Sequence, residues 1–316
     1  MRAIVQRRFG PPDVLEPAVL DAPKPGPGEV LIDVAFVNVT FVETQVRAGR
    51  PPNPRMAPTL PAIPGNGVGG TIGAVGDGVD LALLGRTVVA STGGSGAYAE
   101  RVVVGAEAVI PVPDGVALDD AVALMADGRT ALSLMHTAHP QPGEAVLVEA
   151  AGGGVGSLLV QLSAAAGAHV IAAASAERKL AVATALGADV TVNYARAGWT
   201  ELAGPVDVVF DGVGGEIGRA AFGLLREGGR YCPFGAASGS FAGVQETDAA
   251  ARDVRIARAG PPAPEQLRAL AAEALAAAAA GRLRPVIGQR FALEHAAQAH
   301  RAIESRATIG KTLLTI

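Results

Sequence analysis

The sequence predicts an α/β protein in two parts, a doubly wound parallel sheet and a β-rich, barrel-like domain. Three observations predict it. From residue 118 onward, apolar strand-like runs alternate with helical runs at the spacing of βαβ units, which implies a parallel sheet. A glycine-rich turn, Gly152-Gly153-Gly154-Val155-Gly156, lies between a strand-like and a helix-like run. The first 125 residues instead hold short apolar or alternating runs broken by glycine and proline clusters, a pattern of β structure.

In that first part, residues 29–37, 68–75, 87–90 and 98–104 read as strands, separated by clusters such as 23–28 and 58–70. A helix is expected over 118–136, followed by a turn at Pro142-Gly143. The sheet then builds up from strands at 145–151, 169–174, 190–193, 206–210 and 230–234, with helices at 157–166, 176–186 and 216–225 between them. Residues 126–260 are therefore expected to form a nucleotide-binding domain. Helices at 264–280 and 293–305 and strands at 286–291 and 311–316 are expected to return to the β-rich domain, formed by 1–125 and 261–316.

Composition narrows the function classes. The 316 residues allow two domains, and 49% hydrophobic against 18% charged residues supplies a core and excludes a disordered chain. A net charge of −4 argues against a nucleic-acid surface built on phosphate neutralisation. The single cysteine, Cys232, fits a reducing compartment, and residues 1–8 lack the apolar core of a signal peptide, so a cytoplasmic protein is expected. The alanine-rich stretch 267–280 carries Arg268 and Glu273 and reads as a helix outside any membrane.

The glycine turn follows a strand and opens a helix, which is the context of a Rossmann-type dinucleotide site. Gly153 and Gly154 let the backbone approach a pyrophosphate, Gly156 lets helix and strand pack closely, and the helix N-terminus offers free N–H groups. An NAD site would place an acid at the end of the second strand to bind the ribose hydroxyl. Here that strand ends Ala172-Ala173-Ala174-Ser175, with Lys179 in the next helix. A 2′-phosphate meets no repulsion there, and Lys179 offers a point charge; the cofactor expected is NADPH. Lys24, Lys179 and Lys311 are the only lysines.

These motifs, with Gly10-Pro11-Pro12-Asp13, Pro25-Gly26-Pro27-Gly28-Glu29, Gly96-Ala97-Tyr98-Ala99-Glu100, Gly128-Arg129-Thr130-Ala131, Val192-Asn193-Tyr194, Phe210-Asp211-Gly212 and Gly310-Lys311-Thr312, resemble the zinc-free quinone oxidoreductases. These form a branch of the medium-chain dehydrogenase/reductase superfamily, and the ordered match spans essentially the whole chain. The resemblance implies a GroES-like catalytic domain and a homodimer. It implies that Ser175, Lys179 and Tyr194 serve the 2′-phosphate and Gly153, Gly154, Val155 and Gly156 the pyrophosphate. It also implies that Thr130, Phe234 and Gly235 lie near the nicotinamide, and that Lys311 meets the pyrophosphate. The family's Asn-Pro-x-Asp becomes Thr40-Phe41-Val42-Glu43 here, so Thr40 takes the place of the asparagine near the nicotinamide ribose. The Gly-His-Glu of zinc enzymes becomes Gly65-Asn66-Gly67.

No metal site is expected: one cysteine excludes a four-cysteine lobe, His136 and His139, spaced i, i+3 with His139 before Pro140 at a helix end, read as exposed loop histidines, and His169, His295 and His300 show no ligand pattern. Thr40, Glu43, Gln45 and Tyr98 are the polar candidates for the reaction, with Thr40 and Tyr98 singled out as catalytic. Without a Lewis acid, hydride transfer suits an acceptor that spreads negative charge, a quinone or an α,β-unsaturated carbonyl (enone). An enoyl-thioester reductase on the same fold, and a non-catalytic NADPH-binding sensor or structural protein, stay open because fold alone does not fix function.

Overall fold

The run Ala145-Val146-Leu147-Val148 has no polar side chain, and it forms a strand that is buried on both faces. Such runs are what a parallel sheet covered by helices requires. The computed structural model describes residues 1–258, 260 and 263–316. In chain order the elements are β1 (Arg2–Gln6), β2 (Leu15–Val19), β3 (Glu29–Val39), α1 (Phe41–Arg47), β4 (Gly67–Val75), β5 (Thr87–Ser91), β6 (Arg101–Gly105), β7 (Val109–Pro111) and α2 (Leu118–Ala138). There follow β8 (Ala145–Val148), α3 (Gly154–Ala165), β9 (His169–Ala174), α4 (Glu177–Ala185), β10 (Val190–Asn193), α5 (Trp199–Ala203), β11 (Val206–Asp211), α6 (Gly215–Gly223) and β12 (Leu225–Pro233). The chain continues through α7 (Glu246–Ala250), β13 (Arg255–Ile256), α8 (Pro264–Ala279), β14 (Ile287–Ala292), α9 (Ala296–Glu304) and β15 (Lys311–Thr315).

The chain divides into two compact units, residues 1–126 with 271–316, and residues 127–270. The boundary expected after residue 260 abuts Pro261 and Pro262, which lie outside the described residues. In the second unit the sheet runs β10-β9-β8-β11-β12-β13, parallel throughout. The order reverses between β8 and β11, the switch point where such sheets bind ligands at their carboxyl ends. In the first unit the sheet runs β14-β15-β3-β4-β5-β7, with β6 also on β3 and β1 pairing separately with β2. Val30, Ile32, Val37, Val68, Ile72, Val88 and Leu314 fill its core.

The fold class is as the sequence predicts, with local differences. Helix α3 starts at Gly154, three residues before the expected start, because the glycines themselves form its first turn behind Gly153. Helix α1 was not expected. Its signal, a threonine followed three residues later by a glutamate, is a capping box: Glu43 N–H donates to Thr40 Oγ1 and Thr40 N–H donates to Glu43 Oε2. The strand expected over 98–104 begins only at Arg101, since Tyr98 and Ala99 turn inward and pair across to β1 instead.

Candidate cofactor and active site

In the second unit the chain leaves β8 and enters the glycine turn through Ala150, held in the left-handed region at φ 49°. Gly153 N–H donates to Ala150 C=O (2.7 Å) and Ala151 N–H to Ala173 C=O (3.1 Å), which fastens the turn to β9. A Cβ on Gly156 would stand 2.3 Å from the Ala150 carbonyl oxygen, so any side chain there would force the helix off the strand. A Cβ on Gly152 would stand 2.6 Å from Cβ of Lys179, which places the stem of that lysine directly on the turn. Tyr194 N–H donates to Ala174 C=O (3.1 Å), next to Ser175. Ser175, Lys179 and Tyr194 are thus gathered at the carboxyl ends of β9 and β10, beside the N-terminus of α3. The acid in this corner, Glu177, is taken up by Arg196 (2.9 Å) and by the Asn193 side-chain amide (3.1 Å).

On the other side of the switch point, Phe234 and Gly235 follow β12, and their N–H groups both donate to Asp211 C=O. Phe234 lies against Gly212, and Gly235 against the Gly212 carbonyl. Thr130 and Phe234 line one pocket of about 660 Å³. Residues 129, 130, 133 and 134 reach it together because positions three and four apart share one face of α2.

Behind the pocket is a group that the sequence reading missed. Glu149 and Asp211, at the carboxyl ends of β8 and β11, are both fully buried. Val213 N–H donates to both carboxylates (3.3 and 3.0 Å), Gly214 N–H donates to Asp211 (2.6 Å), and the Tyr231 hydroxyl also donates to Asp211. Burial, and then the neighbouring Asp211, raise the Glu149 pKa well above the ordinary carboxyl range. Glu149 therefore keeps its proton in the folded chain at pH values where the unfolded chain has released it.

In the first unit, Thr40 caps α1 and Glu43 gathers donors around it. Its Oε2 accepts from Thr40 N–H (2.7 Å) and the Tyr98 hydroxyl (3.2 Å), and its Oε1 accepts from Asn66 N–H (2.9 Å). Burial raises the Glu43 pKa, opposed by these bonds and by the charge of Lys311, itself buried on β15. Tyr98 was expected to face the reaction. The structure instead buries it completely, with its hydroxyl between Glu43 and Nε2 of His300 (2.9 Å). A hydroxyl spent on two interior partners positions Glu43. Thr40 is half-buried and uses its oxygen as a cap. Lys311, expected at the pyrophosphate, is buried on β15, and its charge also acts on Glu43. Glu43 was one of four polar candidates, and the capping-box spacing is the sequence signal that singles it out. Burial, and then Arg47, lower the His300 pKa to about 3.

The two buried groups give the units opposite pH responses. His300 is neutral in the fold but protonates in the unfolded chain below about pH 6.5, so stability falls as pH drops from there toward 3. Glu149 is protonated in the fold but ionises in the unfolded chain above about pH 4.3, so stability falls as pH rises from there toward its raised native pKa. Glu149→Gln removes the second loss. It should raise Tm at pH 8 by a few degrees and leave Tm at pH 4 nearly unchanged, as read by thermal unfolding at both pH values. Equal shifts at both pH values would refute the protonation argument.

A zinc site does not fit these side chains. No group of three His, Cys, Asp or Glu able to hold a metal occurs among the described residues. The Asn66 side-chain oxygen is taken by Ser91 Oγ (2.9 Å) and Gly94 N–H (2.7 Å). Cys232 is buried in β12, where burial pushes its thiol up to about 12.

Known proteins match along the whole length. The alcohol dehydrogenase GroES-like domain matches residues 26–114, and the zinc-binding dehydrogenase family matches residues 186–314. A probable quinone oxidoreductase of Schizosaccharomyces pombe is 34% identical over 97% of this chain and 94% of its own. A 2-haloacrylate reductase of a Burkholderia species is 33% identical over 76% of this chain and 74% of its own. Among solved structures, the Escherichia coli quinone oxidoreductase complexed with NADPH superposes with a TM-score of 0.90 at 27% identity, covering 100% of both chains. Fold, site and whole-length similarity together show that this chain belongs to the quinone oxidoreductase branch of the medium-chain dehydrogenase/reductase superfamily.

Proposed function

We propose that this chain is an NADPH-dependent reductase of quinones or enones that works without zinc. The observation that carries the reading is the corner where Lys179 lies on the glycine turn beside Ser175 and Tyr194, with no acid at the end of β9. A 2′-phosphate finds a cation and hydroxyl donors there, and Glu177 is already occupied by Arg196. The N-terminus of α3, with the backbone of Gly153, Gly154, Val155 and Gly156, would take the pyrophosphate. Thr130, Phe234 and Gly235 would hold the nicotinamide end.

NADPH supplies the hydride, and the protein orients and encloses the reactants. Glu43 holds Thr40 and Asn66 in place through three accepted hydrogen bonds, and Tyr98 locks Glu43 from the interior. The described residues offer no zinc-ligand set, and an acceptor that spreads its own negative charge suits such a site. The S. pombe and E. coli relatives are named for quinones and the Burkholderia relative for an unsaturated acid, acceptors of that kind.

The test is oxidation of NADPH and of NADH by one preparation against quinones, enones, enoyl thioesters and saturated ketones, with and without a chelator. NADPH-linked turnover of the first two classes, unaffected by the chelator, is expected. Reduction of saturated ketones with no quinone or enone turnover would sink the reading. Within the same assay, Thr40→Asn should change kcat or acceptor preference severalfold while NADPH affinity stays within about twofold; cofactor affinity lost in parallel would remove Thr40 from the reaction.

A further inference from the structure

The pocket of about 660 Å³ in the second unit has a charge that the rest of the chain does not. The protein as a whole carries −4, with 30 acids against 26 lysines and arginines. No aspartate or glutamate lines this pocket, while Arg129 and Arg258 both do. Their states differ. Arg258 is exposed and pairs with Glu246 at 2.6 Å. Arg129 is half-buried on the inward face of α2, and no hydrogen bond or ion pair to its guanidinium is found among the described residues. Asp127, two residues earlier on the same helix, acts on it electrostatically. Apolar walls from Leu134, Phe234 and Val244 flank it, with Ser133 and Gln245 as neutral polar neighbours.

An unpaired guanidinium facing apolar walls is costly unless a ligand completes it. Its planar fork matches a carboxylate by two parallel hydrogen bonds. The cofactor's own phosphates are provided for elsewhere, at α3 and at the ends of β9 and β10, whereas this pocket opens at the end of β12. We infer that the pocket receives the carboxylate of an anionic, conjugated acceptor, and that Arg129 is the residue that selects it. This deepens the reductase reading, since it names a charge class within the quinone and enone acceptors.

The probe is trans-cinnamate against its neutral isostere trans-cinnamamide, which differ in charge and little in shape. Binding of each is measured by calorimetry on the wild type and on Arg129→Gln and Arg129→Lys, with and without saturating NADP⁺. The wild type should bind cinnamate at least about tenfold more tightly than cinnamamide. Arg129→Gln should abolish that ratio with cinnamamide binding within about twofold, and Arg129→Lys should restore part of it, because a point charge replaces the fork. Equal affinity of the wild type for both probes would overturn the inference. So would an Arg129→Gln variant that loses NADP⁺ affinity and keeps the cinnamate preference, which would assign the arginine to the cofactor. Turnover is read in parallel: a chain that binds cinnamate selectively but reduces no acceptor refutes the reductase reading alone.

Discussion

Lys179→Ala should weaken NADPH binding roughly tenfold to a hundredfold and leave NADH binding within about twofold. A charged hydrogen bond to phosphate contributes about 1.5–3 kcal/mol, and Lys179 is only half-buried, which favours the lower part of that range. The effect is selective because the lysine stem lies on the turn at Gly152, in the corner that also gathers Ser175 and Tyr194, where a 2′-phosphate but not a ribose hydroxyl would add a full negative charge. Binding constants for both cofactors, from fluorescence titration of wild type and variant, decide it. A parallel loss of both would mean that the substitution disturbs the turn itself. Equal wild-type affinity for NADPH and NADH would remove the phosphate corner altogether.

Glu43→Ala should be the most destabilising single change in the first unit. It leaves Thr40 N–H, Asn66 N–H and the Tyr98 hydroxyl without their acceptor and removes the opposite charge that faces buried Lys311. Each buried donor left unmade costs about 1–3 kcal/mol, so the sum is several kcal/mol and the fall in Tm on the order of 10 °C. Glu43→Gln keeps one acceptor oxygen and should fall between Glu43→Ala and the wild type, while Tyr98→Phe, which also leaves the buried His300 Nε2 without its partner, should cost about 2 kcal/mol. Calorimetry on the three variants gives the order directly. A Glu43→Ala variant that melts within about 2 °C of the wild type would show that these bonds do not hold the corner.

The two corners were legible in the sequence to different degrees. The glycine turn, the acid-free end of β9 and Lys179 could be read because backbone geometry and charge sign depend on residues close together in the chain. The strands of the parallel sheet were legible for the same reason, since a run such as 170–174 is apolar throughout. The network around Glu43 was not. Tyr98 lies 55 residues from Glu43 and His300 lies 202 from Tyr98, and only the pairing of β15 with β3 and the packing of α9 bring them together. Tyr98 looked like a reactive hydroxyl because nothing in its neighbourhood of the chain announces burial. Glu149 escaped notice because a lone acid after a strand carries no mark of the second carboxylate that meets it from β11.

The position of β15 bears on how the chain can acquire its structure during synthesis. This strand lies inside the first unit's sheet, between β14 and β3, and contributes Lys311 beside Glu43. Its partner β3 leaves the ribosome more than 270 residues earlier. Residues 127–270 form one continuous unit whose strands, apart from β8 with β11, pair with neighbours in sequence, and can fold as soon as they emerge. The first unit must wait, with the apolar face of β3 and one of its edges unsatisfied, until the second has been made. Closing so long a loop costs only a logarithm of its length in entropy once the intervening unit is folded, but it is slow. The corner that holds Thr40 is thus completed after the phosphate corner, and a partly made chain would hold a cofactor fold before it holds a reaction site.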